Sequence, residues 1–203
     1  MSQSMNLLYD RISREVERNL LGLDVARRKF QLSQGGNAYP ERVLSYFFIR
    51  AIADAKGGAD VFLEVPVLNT KSGRRDNHLD ALVFNNEVAI LAEFKRGWTP
   101  RLWQDLAADV KRVRDVVGGD VLKRFRDKKP RRLHGFYGID AWRAPIADAW
   151  LSGTEYRRWV LPDVFSKMDR RMHFVWENPD KSKVKDDHPY YALWALEPLN
   201  VAE

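Results

Sequence analysis

HLDALVFNNEVAILAEFKRGW, residues 78–98, decides the fold. Two apolar runs, LDALVF and VAILAEF, flank Asn85-Asn86, and asparagine tolerates the positive φ that two-residue hairpin turns need. A turn at Asn85-Asn86 pairs Phe84 with Glu87, Leu82 with Ala89, Asp80 with Leu91 and His78 with Glu93. Strand side chains alternate faces. One face therefore carries His78, Asp80, Leu82 and Phe84 beside Ala89, Leu91, Glu93 and Lys95. The other, with Leu79, Ala81, Val83, Val88, Ile90, Ala92 and Phe94, is unbroken core. Asp80, Glu93 and Lys95 are collected on one face at one end of the hairpin.

Working outward, DVFLEVPVL (60–68) reads as a strand preceding the hairpin, joined to it by the polar turn NTKSGRRD. Before it, YPERVLSYFFIRAIADA predicts a buried helix, with Pro40 and Glu41 suited to its first turn and Gly57-Gly58 as its stop. Residues 5–21 predict an amphipathic helix from Leu8, Ile12, Val16 and Leu20, followed by a polar loop, RRKFQLSQGGN, broken at Gly35-Gly36. After the hairpin, Thr99-Pro100 signals a helix start, and Leu102, Leu106, Val110, Val113 and Val117 trace one apolar stripe. A basic loop (123–132) leads to a strand at 133–139, a helical or loop stretch at 146–160, and strands at 172–178 and 190–199. Helices alternating with strands that are apolar on both faces predict an α/β fold, a sheet covered by helices on both sides.

The chain has 203 residues and no linker-like tract, which fits a single domain over 1–203. Its apolar runs are too short to span a bilayer, and its first residues do not read as a signal peptide. With no cysteine, a disulfide scaffold and a thiolate metal site or nucleophile are excluded. The expected location is cytoplasmic. A net charge of +6 favours polyanionic partners without selecting one.

The hairpin carries the chemistry. At the predicted register Asp80 and Glu93 are diagonal neighbours, their Cβ atoms roughly 7 Å apart or less. Carboxylates so placed repel each other unless one is protonated or a cation bridges them. Hard oxygen donors suit Mg²⁺ or Mn²⁺, which take one or two carboxylates and keep several waters. Lys95 adds a positive point charge that can position a water or offset charge on a phosphate. The competing reading is an ordinary solvated strand end.

This pattern resembles the PD-(D/E)XK nuclease superfamily, whose core is a helix, three antiparallel strands, a helix and a further strand. HLD (78–80) stands for its first element, with Leu79 in place of the proline, and EFK (93–95) for its second. The resemblance covers about residues 39–139, with the helix at 5–21 and the strands at 172–199 as additions. It implies a restriction-endonuclease-like core, a central mixed sheet flanked by helices. It further implies Mg²⁺ or Mn²⁺ held by Asp80, Glu93 and the Phe94 carbonyl, with Glu41 as an additional acid. Lys95 would be the catalytic lysine and Gln104 a site-facing residue of the following helix. The implied function is divalent-metal-dependent hydrolysis of phosphodiester bonds, with DNA the expected partner and RNA a lower reading. The alternative is a catalytically silent nucleic-acid-binding or protein-interaction module. Double-strand cleavage in this family commonly uses two subunits, so a homodimer is compatible with the resemblance.

Other candidates carry plainer readings beside the functional ones. Glu41 suits the helix dipole, and His78 suits a hydrogen-bonded strand end. Asp105 and Asp109 read as solvent-facing. Trp98 and Trp103 are candidates for stacking on a base. Arg27-Arg28-Lys29 and the loop 123–132 are candidates for phosphate contacts or simply solvated surface.

Overall fold

The computed structural model describes residues 3–30, 41–55, 57, 59–67, 77–97, 101–117, 132–141, 144–153, 163–176 and 190–199. The elements are α1 (Gln3–Phe30), α2 (Glu41–Ala55), β1 (Asp60–Val67), β2 (Asn77–Phe84) and β3 (Val88–Gly97). They continue with α3 (Leu102–Val117), β4 (Arg132–Ala141), α4 (Ala144–Ser152), β5 (Asp169–Trp176) and β6 (Tyr190–Leu199). A 3₁₀ turn, Asp163–Phe165, precedes β5.

The six strands form one mixed sheet in the order β1-β2-β3-β4-β6-β5. The first three strands make an antiparallel meander. β4 lies parallel to β3 because α3 carries the chain back across the sheet between them. β6 and β5 complete the sheet by antiparallel pairing.

Helices cover both faces. On one side α1 and α2 bury Ile12, Val16, Phe48 and Ile52 against Ile90, Phe94 and Trp194. On the other, α3 and α4 bury Leu106, Val110 and Trp150 against Leu82, Leu91, Tyr137 and Leu193. The α/β reading and the two-sided sheet are therefore observed. Among the described residues no helix is long and apolar enough to cross a membrane.

Several boundaries differ from the sequence expectations. α1 runs on to Phe30, through the RRKF segment read as a loop. Residues 23–30 contain no glycine or proline, and Ala26, Arg27, Arg28 and Lys29 favour helix. Gly35-Gly36 lies outside the described residues. α2 ends as expected. Gly57 adopts φ +70° and its N–H donates to the Asp54 carbonyl at 3.0 Å, a left-handed stop that glycine makes without strain. Of the 146–160 stretch, the part up to Ser152 is α4. β5 begins three residues earlier than read, whereas β6 has the predicted bounds.

The hairpin register differs by two residues. Phe84 faces Ala89, Val83 faces Ile90, Leu82 faces Leu91 and Ala81 faces Ala92. The turn closes at Asn85, whose N–H donates to the Val88 carbonyl at 2.9 Å. The Asn85 Oδ1 atom accepts the N–H groups of Glu87 and Val88 at 2.9 and 3.0 Å. Neither asparagine adopts positive φ. The Asn85 side chain builds the turn, which moves its centre to Asn86-Glu87. A shift of two preserves the faces. Continued one pair further, it sets Asp80 opposite Glu93 rather than diagonal to it, and His78 no longer faces Glu93.

Candidate functional site

β2 and β3 bring Asp80, Glu93 and Lys95 together at the end of the hairpin away from the turn. The paired register stops at Ala81 and Ala92. Beyond it the Phe94 N–H donates to Asp80 Oδ2 at 2.6 Å, so a side-chain carboxylate takes the place of a ladder carbonyl. On the other flank of β2, Leu63 pairs with Ala81 and Val65 with Leu79, while Glu64 between them has φ +49°. A left-handed glutamate inside a strand costs about 1–2 kcal/mol and is held only by its surroundings.

The side-chain faces exchange across this point. Leu63 borders the α2 side, whereas Val65 packs into the core under α3. Leu79 likewise joins the α3 core, not the face of Ala81 and Val83 on which strict alternation placed it. Asp80 sits at the crossover and is reached from both sides. It lines a cavity of about 870 Å³ between α2 and β1, together with Tyr46, Ile49, Leu63 and Glu64. Its charge also acts on Glu93, Lys95 and Arg112 on the α3 side.

α3 supplies two groups that close the site. Arg112 Nε and Nη2 donate to Glu93 Oε1 at 3.1 and 2.7 Å. Arg112 Nη2 also donates to Asp109 Oδ1 at 2.7 Å, and Lys95 Nζ lies 2.8 Å from Asp109 Oδ2. Asp109 thus ties the lysine to the arginine. The side chain of Glu93 is 1% exposed and that of Asp109 is 5% exposed, against 31% for Lys95 and 28% for Arg112. Tyr137, paired with Glu93 on β4, turns its hydroxyl away to Glu197 at 2.7 Å, and Arg114 binds the same carboxylate.

Burial and the neighbouring Asp80 push Glu93 up to about 8, against the opposing pull of Arg112. Burial works against the charged form of Lys95, but Asp109, Glu93 and Asp80 outweigh it and hold the ammonium above its ordinary value. The Glu93 shift has a stability consequence. The folded state binds this proton more tightly than the unfolded chain, so the stability that protonation supplies is lost as pH rises through about 8. In metal-free buffer Glu93→Gln is expected to raise Tm by about 3–6 °C at pH 8. The gain should shrink towards pH 5, where wild-type Glu93 is itself protonated. Scanning calorimetry at the two pH values checks this, and an equal gain at both would remove the buried charge as its cause.

Asp80 and Glu93 fit a divalent cation in one respect. Among the described residues, Asp80 Oδ1 and Glu93 Oε2 accept no hydrogen bond, since every recorded bond goes to the other oxygen of each pair. Two free carboxylate oxygens match what Mg²⁺ takes from a protein before waters complete its shell. Among the described residues no group of three or more His, Asp or Glu is arranged for a metal.

The remaining candidates fall as follows. Phe94 is buried and stacks on Phe48 with centroids 5.9 Å apart. Glu41 is the first residue of α2, and its side chain lies outside the described residues. Gln104 is exposed in the first turn of α3 and shares no hydrogen bond with Asp80, Glu93 or Lys95. His78 is exposed, and Asp105 is solvent-facing as read. Trp103 is 2% exposed and stacks on Trp150 at 5.6 Å, so its ring is committed to the core and is closed to a base. Trp98, the side chains of Arg27, Arg28 and Lys29, and the basic loop up to Arg131 lie outside the described residues.

The sequence reading missed Asp109 and Arg112. Asp109, read as solvent-facing, is buried. A signal was present: Leu102, Leu106, Asp109 and Val113 follow one i, i+4, i+7, i+11 row, so Asp109 occupies an apolar position of α3. A carboxylate there demands a cationic partner. No protein family, curated protein or solved structure was found to match the chain.

Proposed function

We propose that the chain is a divalent-metal-dependent nuclease of restriction-endonuclease-like fold, acting on DNA. The observation that carries this reading is the convergence of Asp80, Glu93 and Lys95 at one splayed strand end, with one oxygen of each carboxylate free of hydrogen bonds among the described residues. The element order supports it: α2, the antiparallel β1-β2-β3 meander, α3 and the parallel β4 follow the order of the core that the sequence resembles.

Asp80 and Glu93 would hold Mg²⁺ or Mn²⁺, with the Phe94 carbonyl and Glu41 as further donors. When bound, such a cation supplies a more acidic water and charge neutralisation at the scissile phosphate. Asp80 is fixed by the Phe94 N–H and presents its other oxygen. Lys95, kept charged by Asp109, offers a positive group to the phosphate or the attacking water. The basic excess of the chain adds sequence-independent attraction to the nucleic-acid backbone.

One observation favours a catalytically silent module instead: Arg112 already balances Glu93 from within the chain. Cleavage separates the two. Purified protein is incubated with plasmid DNA, single-stranded DNA and RNA in Mg²⁺, Mn²⁺ or EDTA, with Asp80→Asn alongside. The expected result is cleavage with either metal, none in EDTA, and a loss of about 100-fold or more in Asp80→Asn. Binding without cleavage under every condition would establish the silent module.

A further inference from the structure

We propose that Arg112 is a resident stand-in for the divalent cation, occupying Glu93 in the metal-free chain and leaving it when the metal loads. The inference rests on the metal-dependent reading above and concerns how that site is kept folded while empty.

Three carboxylates, Asp80, Glu93 and Asp109, meet two cationic side chains, Lys95 and Arg112. Lys95 is spent on Asp109, so Arg112 is the described cation that answers the deeply buried Glu93. An uncompensated carboxylate at that depth would cost several kcal/mol. Arg112 reaches it with Nε and Nη2, both converging on Oε1. A structural arginine–carboxylate pair commonly uses a fork-to-fork geometry, one nitrogen to each oxygen. Here one guanidinium edge crowds a single oxygen, and Oε2 is left without a hydrogen bond among the described residues.

Arg112 is equipped to leave. It is partly exposed, and its Nη2 already holds Asp109 Oδ1 at 2.7 Å. Giving up Glu93 therefore leaves the guanidinium anchored on Asp109 and its Nε free to serve a substrate phosphate. The exchange replaces the guanidinium on Glu93 by the divalent cation, any proton that Glu93 holds being released to solvent, so the buried carboxylate is never left bare.

The test uses Mn²⁺ itself, with free metal read by electron paramagnetic resonance at pH 7.5 and no substrate. Arg112→Gln is expected to bind Mn²⁺ about 10-fold more tightly than wild type, because no resident cation must first be displaced. Lys95→Gln removes the same charge without vacating Glu93 and should tighten binding no more than about 3-fold. Equal effects in the two variants, or no tightening in Arg112→Gln, would overturn the exchange and leave the metal reading standing. Failure of wild type and Arg112→Gln alike to bind Mn²⁺ would overturn both. A second measurement follows the Arg112 side chain directly. In ¹⁵N-arginine-labelled protein its Nε–H resonance, identified by its loss in Arg112→Lys, should shift on Mg²⁺ addition. A resonance unmoved at saturating Mg²⁺ would mean that the pair with Glu93 is permanent.

Discussion

Lys95→Ala is expected to lower the rate of DNA cleavage by about 10²–10³-fold while leaving the fold intact. The ammonium is positive, partly exposed and within the field of both carboxylates, and unlike Arg112 it is not bonded to Glu93. Its loss removes charge stabilisation at the phosphate without removing a metal ligand, so the metal affinity of the variant should survive. Folding should survive too, because Asp109 keeps Arg112 as a partner at 2.7 Å. Lys95→Arg should restore little. The planar guanidinium cannot place a compact charge where the ammonium sits, and it would compete with Arg112 for Asp109. Single-turnover kinetics at saturating Mg²⁺ measure the effect. A Lys95→Ala protein that cleaves within about 3-fold of wild type would overturn the catalytic role proposed for the lysine.

The second large effect is structural and reaches the site through one residue. Gly138 on β4 pairs with Phe94 and lies under the stacked rings of Phe48 and Phe94. A Cβ there would meet Phe94 Cδ1 at 2.8 Å and Phe48 Cδ2 and Cε2 at 2.9 Å. Both rings are buried, Phe48 at 1% and Phe94 at 4% exposure, and Phe136 and Trp194 pack against Phe48, so neither ring can step aside. Gly138→Val is therefore expected to cost about 3 kcal/mol or more, a fall in Tm on the order of 10 °C. Phe94 stands between Glu93 and Lys95 and donates its N–H to Asp80. The fraction that stays folded should accordingly also bind Mn²⁺ more weakly. Thermal unfolding with Mn²⁺ titration checks both parts, and an unchanged Tm would mean that the two rings yield more than their packing suggests.

The hairpin shows how far local pattern reaches. Alternation along β2 and β3 places Asp80, Glu93 and Lys95 at one end, and a shift of two residues leaves that result unchanged because the strand period is two. The same alternation misplaced Leu79, because the break at Glu64 and Asp80 depends on how β1 pairs with β2. Trp103 gives a matching lesson on α3. Leu106, Val110 and Val113 at i+3, i+7 and i+10 mark its side as apolar, but the ring that covers it, Trp150, comes from α4, 47 positions away.

By itself, the sequence determined the α/β class, the helices on both faces of the sheet, and the shared end of Asp80, Glu93 and Lys95. Each follows from periodicity, a property of residues two to four positions apart. Tertiary structure alone decided that Asp109 binds Lys95 and that Arg112 rests on Glu93. Those contacts join β3 to α3 across 14–19 positions. Whether a charged helical residue faces water or a buried carboxylate depends on what packs above it, which no local period encodes.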